Sequence, residues 1–429
     1  MPEPAGAAFL RQQQCWGVPE WAFLDKVGHM GRRNDATTAR TMTTIEVSLA
    51  LADPPARSRC VVHFPDLTTA HDDRDSILVP SCLVTGAGGA FLLIDARFTD
   101  PGDGYTVYDV VLYKAGPVAP SLHLVPEGPY GVGVLPCRGG QHCLVVLPEG
   151  TGLLGYDLHV FSTETMSWST KAARMAFDMN ELLHVLFYHT KAFAVGDDSM
   201  AWADLIRHGI LGLRVTTIRL PPPMPINDTV DYKVTWDRSQ LPPLDMVRDV
   251  TFTDGSFRFV EMESHYLDGR IKDTQFFFLR WTINTYKRVI GSDNWELLQC
   301  TGLDSANLTP ATSCIPYLFP QIWDSRENKL TFNKLVSFGP TLDQYRDNVV
   351  YMISMLPGHH DPAPHGYWVL AIDTKGRKLE KAVPFTAEPY FACARDFLQC
   401  AFSKYLSRSP VSRDDGRPVG EPAYRPFYA

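Results

Sequence analysis

Short segments that alternate apolar and polar residues, each ended by a polar or glycine-rich turn, constrain this chain more than any other feature. Asp157-Leu158-His159-Val160-Phe161-Ser162 alternates, Thr163-Glu164-Thr165 turns, and Met166-Ser167-Trp168-Ser169 resumes with a tryptophan near its start. Successive side chains of an extended strand point to opposite faces, so such a run builds a half-buried strand. The unit recurs. Trp368 to Asp373 turns at Thr374-Lys375-Gly376 into Lys378 to Phe385, and Val250 to Phe252 turns at Thr253-Asp254-Gly255 into Phe257 to Met262. Ser76 to Thr85 and Ala90 to Phe98 form a further pair around Gly86-Ala87-Gly88-Gly89. Ile45 to Leu51 is broken by Asp53-Pro54-Pro55 and resumes at Cys60 to Phe64, and Tyr105 to Lys114 is another strand. Asp273 to Trp281 is a β-run that meets Trp295-Glu296-Leu297-Leu298 across a turn-rich gap.

Many short strands at fairly even spacing suggest a sandwich, a barrel or a propeller. Over ~350 residues a single propeller accommodates this many strands better than one sandwich. The expectation is therefore an all-β, β-propeller-like array of short antiparallel sheets with a few short helices and flexible termini. Asn180 to Phe187 reads as a short helix or a strand. Ala392 to Leu406 is the best helical candidate, with Leu398, Phe402 and Tyr405 on one face.

Composition narrows the function classes. Of 429 residues, 45% are hydrophobic and 21% charged, which supplies a sizeable core. The net charge of -8 gives no support to bulk nucleic-acid binding. No stretch approaches the ~20 apolar residues that span a bilayer, and Met1 to Gln14 lacks the apolar run of a secretory signal. The nine cysteines form no CxxC pair, so the ligand spacing of a zinc finger is missing and reduced, partly buried thiols are expected. These features point to the cytosol or the nucleus. Without a secretory signal, the glycosylation patterns at Asn227 and Asn307 read as chance matches.

Four constellations invite a chemical reading. Leu83 to Phe91 carries glycines, but Phe91 stands where a dinucleotide motif needs its third glycine and the following run reads as a strand, so a hairpin turn explains it. Gly358-His359-His360-Asp361-Pro362-Ala363-Pro364-His365 holds suitable metal ligands, yet its prolines keep it extended and a surface loop explains it. Asp178, Glu181 and His184 suit acid–base work on a helix, but also an ordinary solvated helix face. Asp72-Asp73-Arg74-Asp75 reads as a turn.

Trp202-Ala203-Asp204-Leu205-Ile206-Arg207-His208-Gly209-Ile210-Leu211 resembles the W-D-L-x-R-G-I-L opening of the plant domain of unknown function 1618, a family expanded in grasses. Arg248-Asp249-Val250 and Asp254-Gly255-Ser256-Phe257-Arg258-Phe259-Val260-Glu261-Met262 resemble its D-G-x-x-K-F-V-E-M stretch. Trp281 with Gly291 to Glu296, and Trp368 to Asp373 after Val349-Val350-Tyr351, resemble its later motifs. Trp21 to Asp25 and Val62 to Pro65 are similar to the segment that precedes the domain, so the resemblance spans about residues 19–390. His208 stands where the family usually has no ionisable residue. The family implies no activity, cofactor or site residue. It is similar to the propeller regions that follow F-box segments, and no F-box-like helices precede it here.

The expected organisation is a flexible 1–18, an N-terminal half over 19–200, the family region over 201–355, closing strands and a C-terminal helix over 356–406, and a disordered tail over 407–429. The expected function is a non-enzymatic scaffold that binds a protein or peptide on one propeller face, with no nucleic-acid or membrane partner. The alternative is a small-molecule binder or hydrolase-like enzyme that uses the central channel. No catalytic, cofactor-binding or metal residue is assigned and no cofactor is expected. His63, Asp204, Arg207 and His208 are the residues to inspect.

Overall fold

The computed structural model describes residues 19–30, 39–40, 45–64, 79–99, 106–116, 120–126, 133–137, 140–151, 155–174, 190–196, 199–205, 209–212, 217–225, 227, 244–265, 280–298, 302–318, 321–326, 329–332, 335–356, 367–385, 397–401 and 405. Strands dominate them, and Ile315–Leu318 is the one α-helix among the described residues.

Six sheets of four or five strands follow one another along the chain, and we call them blades. The first contains Ala39–Arg40, Glu46–Ala50, Arg59–His63 and His29–Met30. The second is Val79–Gly88, Phe91–Thr99, Thr106–Lys114 and Ser121–Val125. The third is Gly133–Cys137, His142–Gly150, Gly155–Ser162 and Ser167–Arg174. The fourth is Lys191–Val195, Ser199–Asp204, Gly209–Gly212 and Thr217–Arg219. The fifth is built on Arg248–Thr253, Ser256–His265 and Arg280–Val289, with Glu296–Leu297 and Leu303–Asp304 on its outer edge. The sixth is Val336–Leu342, Val349–Met355, Tyr367–Asp373 and Lys378–Phe385, edged by Thr309–Pro310.

Alternation lets each strand bury one set of side chains against the previous blade and the other against the next. Along Ser256–His265, Phe257 and Phe259 join Ala201, Ala203 and Leu205 of the fourth blade, while Val260 and Met262 join Val350, Met352 and Leu370 of the sixth. Leu135, Val146 and Val160 meet Met200 and Trp202 between the third and fourth blades. Val47, Cys60 and Val62 share a cluster with Phe91, Leu93 and Tyr113, and through them with Val145 and Phe161. Trp21 and Phe23 pack on Tyr351, Val369 and Ala371, which closes the ring from sixth blade to first. The propeller-like architecture expected from the strand spacing is thus the one observed.

The ring is closed by both ends of the described chain. Phe397–Cys400 pairs antiparallel with Ala22–Asp25, Ala22 opposite Cys400. Asp25 N–H donates to Ser58 O at 2.9 Å and Ser58 N–H to Phe23 O at 2.8 Å, which attaches this pair to the first blade. This corrects the helix expected over 392–406. The helical spacing of Leu398 and Tyr405 is overridden by tertiary pairing, because a strand here satisfies the backbone of Ala22–Asp25. Residues 392–396 and 402–404 lie outside the described residues, as does the helix candidate at 180–187.

The turns are as local chemistry dictates. Asp254 and Gly255 have φ of 51° and 70°, the left-handed geometry that a two-residue hairpin requires. Gly88 is needed for a different reason: a Cβ there would sit 2.2 Å from Val134 O of the next blade. The glycine run that invites a dinucleotide reading is a hairpin end against which the neighbouring blade packs.

Candidate functional site

The innermost strands of three blades and the closing strand Phe397–Cys400 meet in a polar hub. Lys191 opens the fourth blade, and its Nζ donates to Asp249 Oδ1 of the fifth at 2.6 Å and to Gln399 Oε1 at 3.3 Å. Asp249 Oδ2 accepts Leu342 N–H of the sixth blade at 3.0 Å, and Gln399 Nε2 donates to Leu342 O. Charge and hydrogen-bonding capacity at this point go largely into joining blades.

Beside it, Arg248 and Glu261 form a fully buried ion pair at 2.8 Å. Glu261 Oε1 accepts from Arg248 Nε and Nη2, from Asn227 Nδ2 at 2.7 Å and from Met224 N–H at 3.1 Å. Arg248 Nη1 donates to Leu205 O of the fourth blade at 3.2 Å. Asn227 is buried, so its amide holds the chain after the fourth blade in place and is inaccessible to glycosylation.

A third cluster shapes the loop at 343–348. Arg258 is buried and donates to the carbonyls of Asp343, Gln344 and Arg346. Burial lowers its pKa, opposed by Asp347 and Asp343 nearby. Asp343 Oδ1 accepts from Tyr345 N–H and Arg346 N–H, each at 2.8 Å, while its Oδ2 accepts from Tyr351. Burial and the Asp343 carboxylate push the Tyr351 phenol up, so it remains a donor. Burial alone would raise Asp373, but Gly376 N–H, Asn348 Nδ2 and Lys375 N–H outweigh it and hold the carboxyl below its ordinary range.

On the surface of the third blade, Glu149, His159 and Thr170 form a chain across three strands. His159 Nε2 lies 2.7 Å from Glu149 Oε2, and its Nδ1 lies 3.2 Å from Thr170 Oγ1. The order carboxylate–imidazole–hydroxyl is that of an acyl-transfer triad, yet the glutamate is two-thirds exposed and the pair is screened by solvent. Cross-strand polar pairing accounts for it.

The fifth blade's outer hairpin differs from all of these. Val289, Ile290 and Leu297 are 52%, 58% and 54% exposed, three of the eight large hydrophobic side chains exposed among the described residues. Trp295 holds the hairpin down. Its ring lies tilted against Phe259, centroids 6.0 Å apart, and its Nε1–H donates to Arg219 O of the fourth blade at 2.6 Å.

Of the residues marked for inspection, the two described ones, His63 and Asp204, lie on different blades. His63 is exposed on the first blade, whereas Asp204 is buried on the fourth; burial raises the Tyr156 phenol, and the nearby Asp204 adds to the rise. Arg207, His208, the histidines of 359–365, Asp178, Glu181, His184 and the acidic run 72–75 lie outside the described residues. Among the described residues no three His, Cys, Asp or Glu side chains gather as a metal site. Lys191, Arg248, Asp249, Arg258, Glu261 and Gln399 escaped the sequence reading as functional groups. Their signal was a polar or charged residue inside a strand with apolar neighbours, as in Arg258 between Phe257 and Phe259.

Fold and site together define an all-β, propeller-like protein whose buried charges join neighbouring blades. Residues 202–351 match the model of a family described as a protein of unknown function (DUF1618). The match begins at the buried Trp202 and ends in the sixth blade, taking in the Arg248–Glu261 pair, Arg258 and the exposed hairpin. No curated protein matches the chain. No helix among the described residues is long and apolar enough to cross a membrane.

Proposed function

We propose that this protein is a non-enzymatic scaffold that binds a protein or peptide through the outer hairpin of its fifth blade. The carrying observation is the exposure of Val289, Ile290 and Leu297 on one hairpin held rigid by Trp295. Covering the exposed half of each side chain with a partner would contribute roughly 1 kcal/mol, and a pre-ordered hairpin loses little freedom on binding. An acidic chain of net charge -8 suits a protein partner better than a nucleic acid. The reading places it in the cytosol or nucleus, where buried thiols such as Cys60, Cys82, Cys143, Cys314 and Cys400 stay reduced. The channel-based alternative draws less support, since Lys191, Asp249 and Gln399 hold one another and Leu342.

Capture with the tagged full-length chain, beside an Ile290→Asp/Leu297→Asp variant of equal melting temperature, tests the reading. A partner whose recovery drops by about tenfold or more in the variant supports it, as truncation of an apolar anchor should. Partners recovered equally by both chains would remove the hairpin from the interface.

A further inference from the structure

The outer strand of the third blade, Ser167–Arg174, pairs with Gly155–Ser162 in unbroken register over eight residues, and no described strand lies on its other side. Its side chains from Ser169 to Ala172 are exposed. An edge of this length with no described neighbour offers a row of N–H and C=O groups for pairing, which most folds shorten or cover. The other blades do so. Outer strands Ala39–Arg40, Ser121–Val125, Thr217–Arg219 and Glu296–Leu297 have two to five residues. The sixth blade's outer strand, Lys378–Phe385, is equally long, and its first two residues are covered: Thr309–Pro310 pairs with Lys378 and Leu379 in parallel and Ala311 N–H donates to Leu379 O at 2.8 Å. This chain thus already adds a strand to the start of one such edge. Ser167–Arg174 also contains no proline and no bulge, two of the usual defences. In a chain of net charge -8, this strand carries Lys171 and Arg174 and no acidic residue.

We propose that the free edge of Ser167–Arg174 accepts an acidic, extended segment of a partner protein as a fifth strand of the third blade. Main-chain hydrogen bonds along the edge supply the affinity, and a carboxylate opposite Lys171 supplies the preference. Trp168 fixes the strand for this role, since its Nε1–H donates to Pro126 O of the second blade at 2.6 Å. The site is two blades away from the apolar hairpin and does not depend on it.

Random linear peptides displayed against the full-length chain, followed by amide hydrogen exchange of the complex, test the proposal. Alternate amides of 167–174 already bond to Gly155–Ser162, so binding should slow exchange at the intervening ones. The selected peptides should be acidic, and Lys171→Glu should weaken them about fivefold while leaving the melting temperature unchanged. Three results would overturn the proposal: no peptide selected, peptides that protect 280–297 but not 167–174, or binding indifferent to Lys171→Glu. The second of these would leave the hairpin reading standing.

Discussion

The indole Nε1–H of Trp295 donates to the carbonyl of Arg219 at 2.6 Å, tying the outer hairpin of the fifth blade to the last strand of the fourth. Trp168 repeats the device between the third and second blades, donating to Pro126 O at 2.6 Å. Each ring also packs on its own blade, Trp168 at 5.4 Å from Phe161 and Trp295 at 6.0 Å from Phe259. A tryptophan on an outer strand thus serves two blades at once, apolar body on one and polar tip on the other. Trp295→Phe keeps most of the packing and removes the bond. It should cost about 1 kcal/mol in urea unfolding, and Trp168→Phe about the same. The two sites lie in separate seams, so the double variant should show the sum. A Trp295→Phe chain as stable as the parent would reduce the contact to proximity.

The hub around Lys191 makes a second expectation. Lys191→Met leaves the Asp249 carboxylate with Leu342 N–H as its remaining bond here. The pair is only partly buried, so the loss should be about 2 kcal/mol, short of that for a sealed ion pair. Gln399→Ala cuts the link from the closing strand to Leu342 and Lys191, and should open that strand first. Hydrogen exchange read at Ala22–Asp25 and Phe397–Cys400 would show this as faster exchange there than elsewhere. Uniform acceleration across all blades would mean that the ring opens only as a whole.

Much of the fold was legible because alternation is a local signal. The hairpins at Thr163–Met166, Asp254–Gly255 and Thr374–Arg377 fall where apolar alternation meets turn residues, and the all-β architecture follows from their number. The closing strand was not legible. Leu398 and Tyr405 have helical spacing, and only the distant Ala22–Asp25 makes Phe397–Cys400 a strand. The strand read as ending at Trp281 illustrates the same limit: its described part, Arg280–Val289, runs on to Val289, where polar Thr282, Asn284 and Lys287 face less crowded surroundings. The site was less visible still. Arg258 and Glu261 are part of a recognisable motif, but their meaning depends on Asp343, far away in sequence, and on Arg248 across the hairpin, both adjacent in space.

Arg248 and Glu261 are both sealed from solvent, so breaking the pair from either side leaves a buried charge. Arg248→Met and Glu261→Leu should each cost about 3–5 kcal/mol. The double variant removes both charges and should lose clearly less than the sum. It should not return to the parent, because Met224 N–H and Asn227 Nδ2 also donate to Glu261 Oε1 and would lose that acceptor. A double-mutant cycle in urea measures the coupling, and strict additivity would contradict the pairing.

Cys82 and Cys143 contribute to the alkaline limit of the fold. Burial pushes the Cys82 thiol up to about 12, helped by the nearby Asp95, and burial likewise takes Cys143 to about 12 against the pull of Thr163. The ordinary thiol value is 9.0, so between these limits the unfolded chain has released protons that the folded chain still holds. Stability contributed by each thiol is therefore complete below pH 9 and falls as pH rises toward 12, by at most about 1.4 kcal/mol per pH unit for each. Urea unfolding from pH 8 to 11 should show that decline, and Cys82→Ala, though less stable at pH 8, should decline less steeply. A variant with the parent's slope would mean that the Cys82 thiol ionises as readily in the fold as out of it.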